Sequence, residues 1–454
     1  GSLTINGSGT LNITSSYGNG IKAKNTLTVT DTTINIGSTS EYVAGKGIAV
    51  KNEITLKNAD ITIYSTDDGI KTTYDEDDVT YDESAYTYDS STTTDTKITI
   101  NGGSYKIVTK DGDGISASYK LFDDTRYEVG FGTLTVDNAT IDITTNAVAV
   151  TTTDYGSHKG LKAGSSLTIN SGNITIDTSA TNLTKSSSDN YADDAIHSNG
   201  TVTINGGSLN LKSGDDGIHG EVSLTINDGN ITVSSSYEGL EGMGVYIKGG
   251  TINVTASDDG VNAAGGYGTE TSTTGYHNNK SYNHELYIYG GDITVNSEGD
   301  GLDSNGSMYI SGGNVKVYGP SSGGNASFDI GDQGCTFSIT GGTVIATAGT
   351  SDMSVAPTST SGQSYVVFST SVSANSTVTI SDGTSFTVPK AASYVFVSSS
   401  GITANSSYTL TSGSTSATAT AGTNTSGGFN GTPNGADNFN GNAGPGGNGG
   451  PGGM

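Results

Sequence analysis

Asp215-Asp216-Gly217-Ile218-His219 decides how this chain is read, because the same phrase keeps returning along it. Asp67-Asp68-Gly69-Ile70-Lys71 and Asp258-Asp259-Gly260-Val261-Asn262 are further copies: an acidic-plus-glycine turn, one aliphatic residue, then a polar one. Where copies run unbroken, Ala195, Gly217, Gly239 and Gly260 follow one another at 22, 22 and 21 residues. A fixed period of that length is the mark of a repeat architecture, in which each unit stacks on the last.

Between the phrases lie short alternating runs. Val202-Thr203-Ile204-Asn205-Gly206-Gly207 is followed by Leu209-Asn210-Leu211, and Val245-Tyr246-Ile247-Lys248-Gly249-Gly250 by Ile252-Asn253-Val254. Aliphatic residues alternating with polar ones have the period of strands with one buried face. No segment carries a sustained helical period, and tryptophan is absent, which argues against helical repeats and propellers. The expected fold is therefore all-β, a right-handed parallel β-helix over 1–350. Uneven spacings place loop insertions at 73–97, 118–132, 177–191 and 264–284, where tyrosines concentrate. Runs such as Tyr365-Val366-Val367-Phe368 lack the acidic turn and predict a β-rich C-terminal cap over 351–420. Residues 421–454 read as a Gly/Asn/Pro-rich tail, either a disordered linker or a polyproline-II-like strand.

Net charge is −26, with Arg126 the one arginine, so phosphate backbones and anionic membranes are repelled and cations attracted. No run is long and apolar enough to span a membrane. The one cysteine, Cys335, alternates with Phe337 and Ile339 and is expected to face the core. The sequence opens inside a repeat, so an export signal is expected to be removed or to lie outside it. An acidic surface rich in Ser, Thr, Asn and Gly suggests an extracellular or cell-surface protein.

Equivalent residues of neighbouring parallel strands lie about 4.8 Å apart. The turns therefore stack Asp67, Asp68, Asp111, Asp113, Asp193, Asp194, Asp215, Asp216, Glu238, Asp258, Asp259 and Asp300 in columns. Unit charges this close repel by about 1 kcal/mol per pair even in water, so the columns call for protonation or a cation. All-oxygen donors suit Ca²⁺ rather than zinc. The simpler alternative is that each Asp caps its own turn through a backbone N–H. A second column, two residues after the aligned glycine, holds Lys22, Ala49, Lys71, Ser116, Lys162, His197, His219, Glu241, Asn262 and Asp303, and is expected to point outward. It predicts a strip of hydrogen-bonding groups on which a polysaccharide lies. Lys162, His197, His219, Glu241 and Asn262, with Tyr191, Tyr237 and Tyr267, are the carbohydrate-binding candidates. Glu241 and Asp303 also join the metal candidates.

The chain resembles the carbohydrate-binding β-helix proteins of clostridia and other Gram-positive bacteria, related in architecture to pectate lyases. The matching phrases are Asp-Asp-Gly-Ile at 67–70 and 215–218, Asp-Asp-Ala-Ile at 193–196, Leu-Thr-Ile-Asn at 3–6 and 167–170, and Ile-Asn-Gly-Gly at 100–103 and 204–207. Glu238-Gly239-Leu240-Glu241-Gly242 followed by Lys248-Gly249-Gly250 is similar too, and the resemblance covers roughly residues 1–412. The resemblance implies an exported protein that binds Ca²⁺ in its acidic turns and holds plant cell-wall or acidic polysaccharide. Two alternatives stand beside it. One is a Ca²⁺-dependent lyase, for which Lys71 and Lys162 are the bases nearest the acids. The other is a filament built by head-to-tail pairing of exposed sheet ends.

Overall fold

The computed structural model describes residues 1–72, 81–82, 87–88, 96–121, 129–145, 158–179, 193–265, 284–321, 324–331, 334–350, 353–358 and 362–422. These residues form strands and turns with no α-helix, and among them no helix is long and apolar enough to cross a membrane. They belong to two compact units, one spanning Gly1–Val222 and the other lying within Ser223–Pro451. Of the inserted loops, 81–82 pairs antiparallel with 87–88, and 119–121 with 129–131. Residues 73–80, 83–86, 89–95, 122–128, 180–191 and 266–283 of those loops, Tyr191 and Tyr267 among them, and all but the first two residues of the tail lie outside the described residues.

In the first unit the alternating runs become short parallel strands, each bonded to its counterpart in the next repeat. Thr201–Ile204 pairs with Ser166–Ile169, and Ser208–Lys212 with Gly172–Asp177. The residue after each aligned glycine shares one register, Ile21, Ile48, Ile70, Ile115, Leu161, Ile196 and Ile218. Six of these side chains are wholly buried and Ile21 nearly so, an internal aliphatic stack that removes apolar surface from water at every repeat. In the second unit Leu240, Val261 and Leu302 continue the same pattern.

The glycine in the phrase is explained by contact between repeats. A Cβ on Gly114 would stand 2.6 Å from the Gly160 carbonyl oxygen and 2.5 Å from Ile143 Cγ2, and one on Gly260 would stand 2.7 Å from the Gly301 oxygen. Backbone and core side chains leave no room for a methyl there.

The parallel order ends at Thr343–Ala348, which pairs in parallel with Asn314–Tyr318 on one side and antiparallel with Ala392–Ser398 on the other. Ala392–Ser398 also pairs with Tyr365–Val372, and a separate antiparallel sheet holds Ser376–Ile380, Ser385–Val388, Ser407–Ser412 and Thr415–Thr420. Phe368, Val378, Val388, Val395 and Leu410 form the core of this region. Cys335 departs from expectation. It is only half-buried, because the strand begins two residues later at Phe337 and the inward alternation starts there.

Candidate functional site

In the turns of Asp68, Asp113, Asp194, Asp259 and Asp300 the acid just before the aligned position divides its two oxygens between two tasks. Its Oδ1 accepts a backbone N–H from the neighbouring turn. Asp113 N–H donates to Asp68 at 2.8 Å, Lys159 N–H to Asp113 at 2.9 Å, and Asp216 N–H to Asp194 at 3.2 Å. Asp300 N–H donates to Asp259 at 2.6 Å, and Ala326 N–H to Asp300. The capping alternative is thus correct for one oxygen, although the cap reaches across repeats rather than within the turn. The other oxygen is left to meet a cation, and here the two units differ.

In the first unit the chain supplies its own cations. Asp68 Oδ2 is 2.7 Å from Lys46 Nζ and 3.0 Å from Lys71 Nζ, and Lys46 also meets Asp67. Burial alone would raise the Asp68 carboxyl, but Lys71 and Lys46 outweigh it and bring it down to about 2. Asp194 Oδ2 meets Lys159 Nζ at 2.7 Å and His197 Nδ1 at 2.8 Å. Against its burial, Lys159 holds that carboxyl well below the usual range. His158 bridges Asp111 at 2.8 Å and Asp193 at 3.2 Å, while Lys162 stands 3.9 Å from Asp113. His219 meets Asp216 at 3.2 Å, and despite burial the Asp216 hydrogen bond and the Glu221 charge push its imidazole up to about 10. His197 moves the opposite way: burial, then the Lys159 charge, hold it neutral. Asp194, Asp215 and Asp216 converge, with carboxylate oxygens within 4.8 Å of one another.

Lys46, His158 and Lys159 were missed by sequence reasoning, yet a signal existed. They precede Gly47 and Gly160, so they occupy the acid columns themselves with the opposite charge.

The second column has the expected register. Lys22, Ala49, Lys71, Ser116, Lys162, His197 and His219 align in the first unit, and Glu241, Asn262 and Asp303 in the second. It is not the open strip expected from sequence. His197 is 5% exposed, Asn262 7% and Glu241 8%, and Ser116 is fully buried. The side chains lie against the acidic turns that precede them, as the Lys71–Asp68, His197–Asp194 and His219–Asp216 pairs at i, i+3 show. His197 and His219 do come together, ring centroids 5.1 Å apart and edge to face. Lys71 makes a poor base: although burial opposes its charge, Asp68 and Asp113 raise its pKa far above neutrality.

The acidic turns at Asp259, Asp300 and Asp303 in the second unit differ. Asp259, Asp300 and Asp303 bring carboxylate oxygens within 4.8 Å of one another. Among the described residues no lysine, arginine or histidine forms an ion pair with any of the three. Burial, then neighbouring carboxylates, raise Asp259 to about 7 and Asp300 to about 8, and lift Asp303 well above its ordinary value. Asn262, which shares a register with Asp303, donates from Nδ2 to Glu238 Oε2 at 2.9 Å. Its buried Oδ1 has no hydrogen-bond partner among the described residues. Tyr237 hydrogen-bonds Asp258, and burial followed by that bond raises its phenol.

A family model described as carbohydrate-binding domain-containing protein matches residues 1–217 and 188–281. The chain belongs to that family. Neither a curated protein nor a solved structure matches it. The first match ends at residue 217, inside the Asp215–His219 phrase, and the second carries on through the Asp258-Asp259 turn.

Proposed function

We propose that this protein is a right-handed parallel β-helix acting outside the cell, which retains acidic polysaccharide through Ca²⁺ without cleaving it. Family membership supports carbohydrate binding, and the repeat-to-repeat parallel register supports the β-helix. The observation that carries the calcium reading is the Asp259–Asp300–Asp303 cluster. Among the described residues its carboxylates converge without a protein cation, and the buried amide oxygen of Asn262 has no hydrogen-bond partner. All-oxygen donors of this kind, with Glu238 and backbone carbonyls nearby, fit the coordination that Ca²⁺ prefers and offer no nitrogen or sulfur to zinc. A held Ca²⁺ supplies positive charge on a chain of net charge −26, so a polymer carboxylate is drawn where it would otherwise be repelled.

Asp68 and Asp194 of the first unit are not assigned as metal ligands, because Lys46, Lys71, Lys159 and His197 already meet them. Nor does this reading include a lyase step, since Lys71 is held as an ammonium ion. The acidic, lysine-poor surface agrees with an extracellular setting.

The test is retention on calcium-pectate gel, with and without chelator, alongside absorbance of unsaturated products. Expected are Ca²⁺-dependent retention, loss of it in the Asp259→Asn/Asp300→Asn variant, and flat absorbance. Rising absorbance makes the protein a lyase, and retention that ignores chelator removes calcium from the mechanism.

A further inference from the structure

The second unit carries a feature unrelated to the acid columns, which begins at Tyr246 inside the second family match and continues past its end at residue 281. Tyr246, Tyr287 and Tyr309 share one register on three adjoining parallel strands, Leu240–Ile247, Glu285–Ile288 and Ser307–Ile310. Their rings are stacked. Tyr246 and Tyr287 are 5.8 Å apart with planes at 12°, and Tyr287 and Tyr309 are 4.6 Å apart at 15°. Tyr289, just past the strand end and 48% exposed, lies parallel to Tyr287 at 5.6 Å. All four side chains are outside the aliphatic core, whose inward positions on these strands are Val245, Leu286 and Met308.

From this geometry we infer that the tyrosine ladder is a second carbohydrate site, one that takes a neutral, β-linked glucan chain without calcium. Three arguments lead to that occupant. Successive phenols repeat at the strand spacing, close to the length of one hexopyranose unit, so each sugar along a chain crossing the strands meets one phenol. The rings hold one another in place, so their hydroxyls and edges are ordered before a ligand arrives and little rotamer entropy is lost on binding. The local charge is wrong for an anion. Burial and the Glu285 carboxylate raise the Tyr246 and Tyr287 phenols, which therefore keep their protons and stay hydrogen-bond donors. Because ring faces are largely turned to one another, recognition rests on hydroxyls and ring edges. At the end of the ladder Tyr309 is in register with Ser338, a side chain too short to stack on it, and among the described residues its stacked neighbour is Tyr287.

This site rests on the carbohydrate-binding reading but not on its calcium step, and the experiment separates the two. Affinity electrophoresis through soluble hydroxyethylcellulose, with chelator present, measures neutral-glucan binding. The calcium-pectate assay is run on the same proteins. Tyr287→Ala/Tyr309→Ala, and the conservative Tyr287→Phe/Tyr309→Phe that preserves stacking, are compared with wild type, with melting curves as the check on folding. Expected is at least a tenfold loss of glucan affinity in the alanine variant and at least a threefold loss in the phenylalanine variant, with pectate retention unchanged. Wild-type protein that ignores the glucan under chelation overturns the ladder site and leaves the calcium site standing. Folded variants that keep wild-type glucan affinity overturn it equally. Loss of pectate retention in wild type alone overturns only the calcium reading.

Discussion

A single acidic side chain in this protein has its role set by what stands opposite its second oxygen. Asp194, nearly inaccessible, is tied to Lys159, itself only 4% exposed. Replacing one partner of such a buried pair leaves an uncompensated charge, so Lys159→Met is expected to cost about 3–5 kcal/mol. Urea unfolding measures this, and adding Asp194→Asn to the same chain should recover part of the loss. At Asp259 and Asp300 the sign is reversed. Their folded pKa values lie above the unfolded carboxylate value, at about 7 and about 8, so the native state holds more protons than the unfolded chain in between. Stability of the calcium-free protein should therefore fall as pH rises from about 4 toward 8. Asp300→Asn should flatten that fall, and calcium should remove it. Melting temperatures across the range, with chelator and with calcium, check both statements; a calcium-free curve that rises over this window would refute the cluster.

At the level of the strand and turn, the repeat depends on two neighbouring positions with opposite demands. The aligned glycine must be small and the residue after it large and apolar. A Cβ on Gly160 would lie 2.5 Å from the Ala195 oxygen and 2.3 Å from Ile176 Cγ2, so Gly160→Ala should cost about 1–3 kcal/mol through overpacking. That the column tolerates Ala195 indicates a cost the structure can absorb rather than a collapse. Ile218→Asp is a harsher test, because it puts a charge among wholly buried aliphatic side chains. Soluble, cooperatively melting protein from that variant would contradict the internal stack. Period-2 alternation and the glycine spacing made these elements legible beforehand, since both arise from near neighbours in the chain. The burial of His197 and Asn262 was not legible. It depends on an acidic turn folding back over the following strand, which alternation alone reads as solvent.

For the molecule as a whole, the net charge of −26 is unevenly compensated. Acid columns in the first unit contain their own lysines and histidines, and among the described residues the cluster in the second does not. Calcium that binds only the native state should raise the melting temperature by mass action. Asp259→Asn/Asp300→Asn should abolish that rise, whereas Asp215→Asn/Asp216→Asn should leave most of it. Differential scanning calorimetry on demetallated protein distinguishes them, and the opposite ranking would move the ion into the first unit. The sequence by itself determined the all-β repeat, its period, the inward aliphatic column and the register of the acids, because a spacing near 22 residues brings like positions together whatever the side chains do. Only the tertiary structure decided which acids are answered by Lys46, His158 and Lys159, which carboxylates remain facing one another, and that Tyr246, Tyr287 and Tyr309 stack. The physical reason is that pairing, burial and pKa depend on contacts between residues some twenty to forty-five positions apart, across repeats of unequal length, and composition or period carries no such distances.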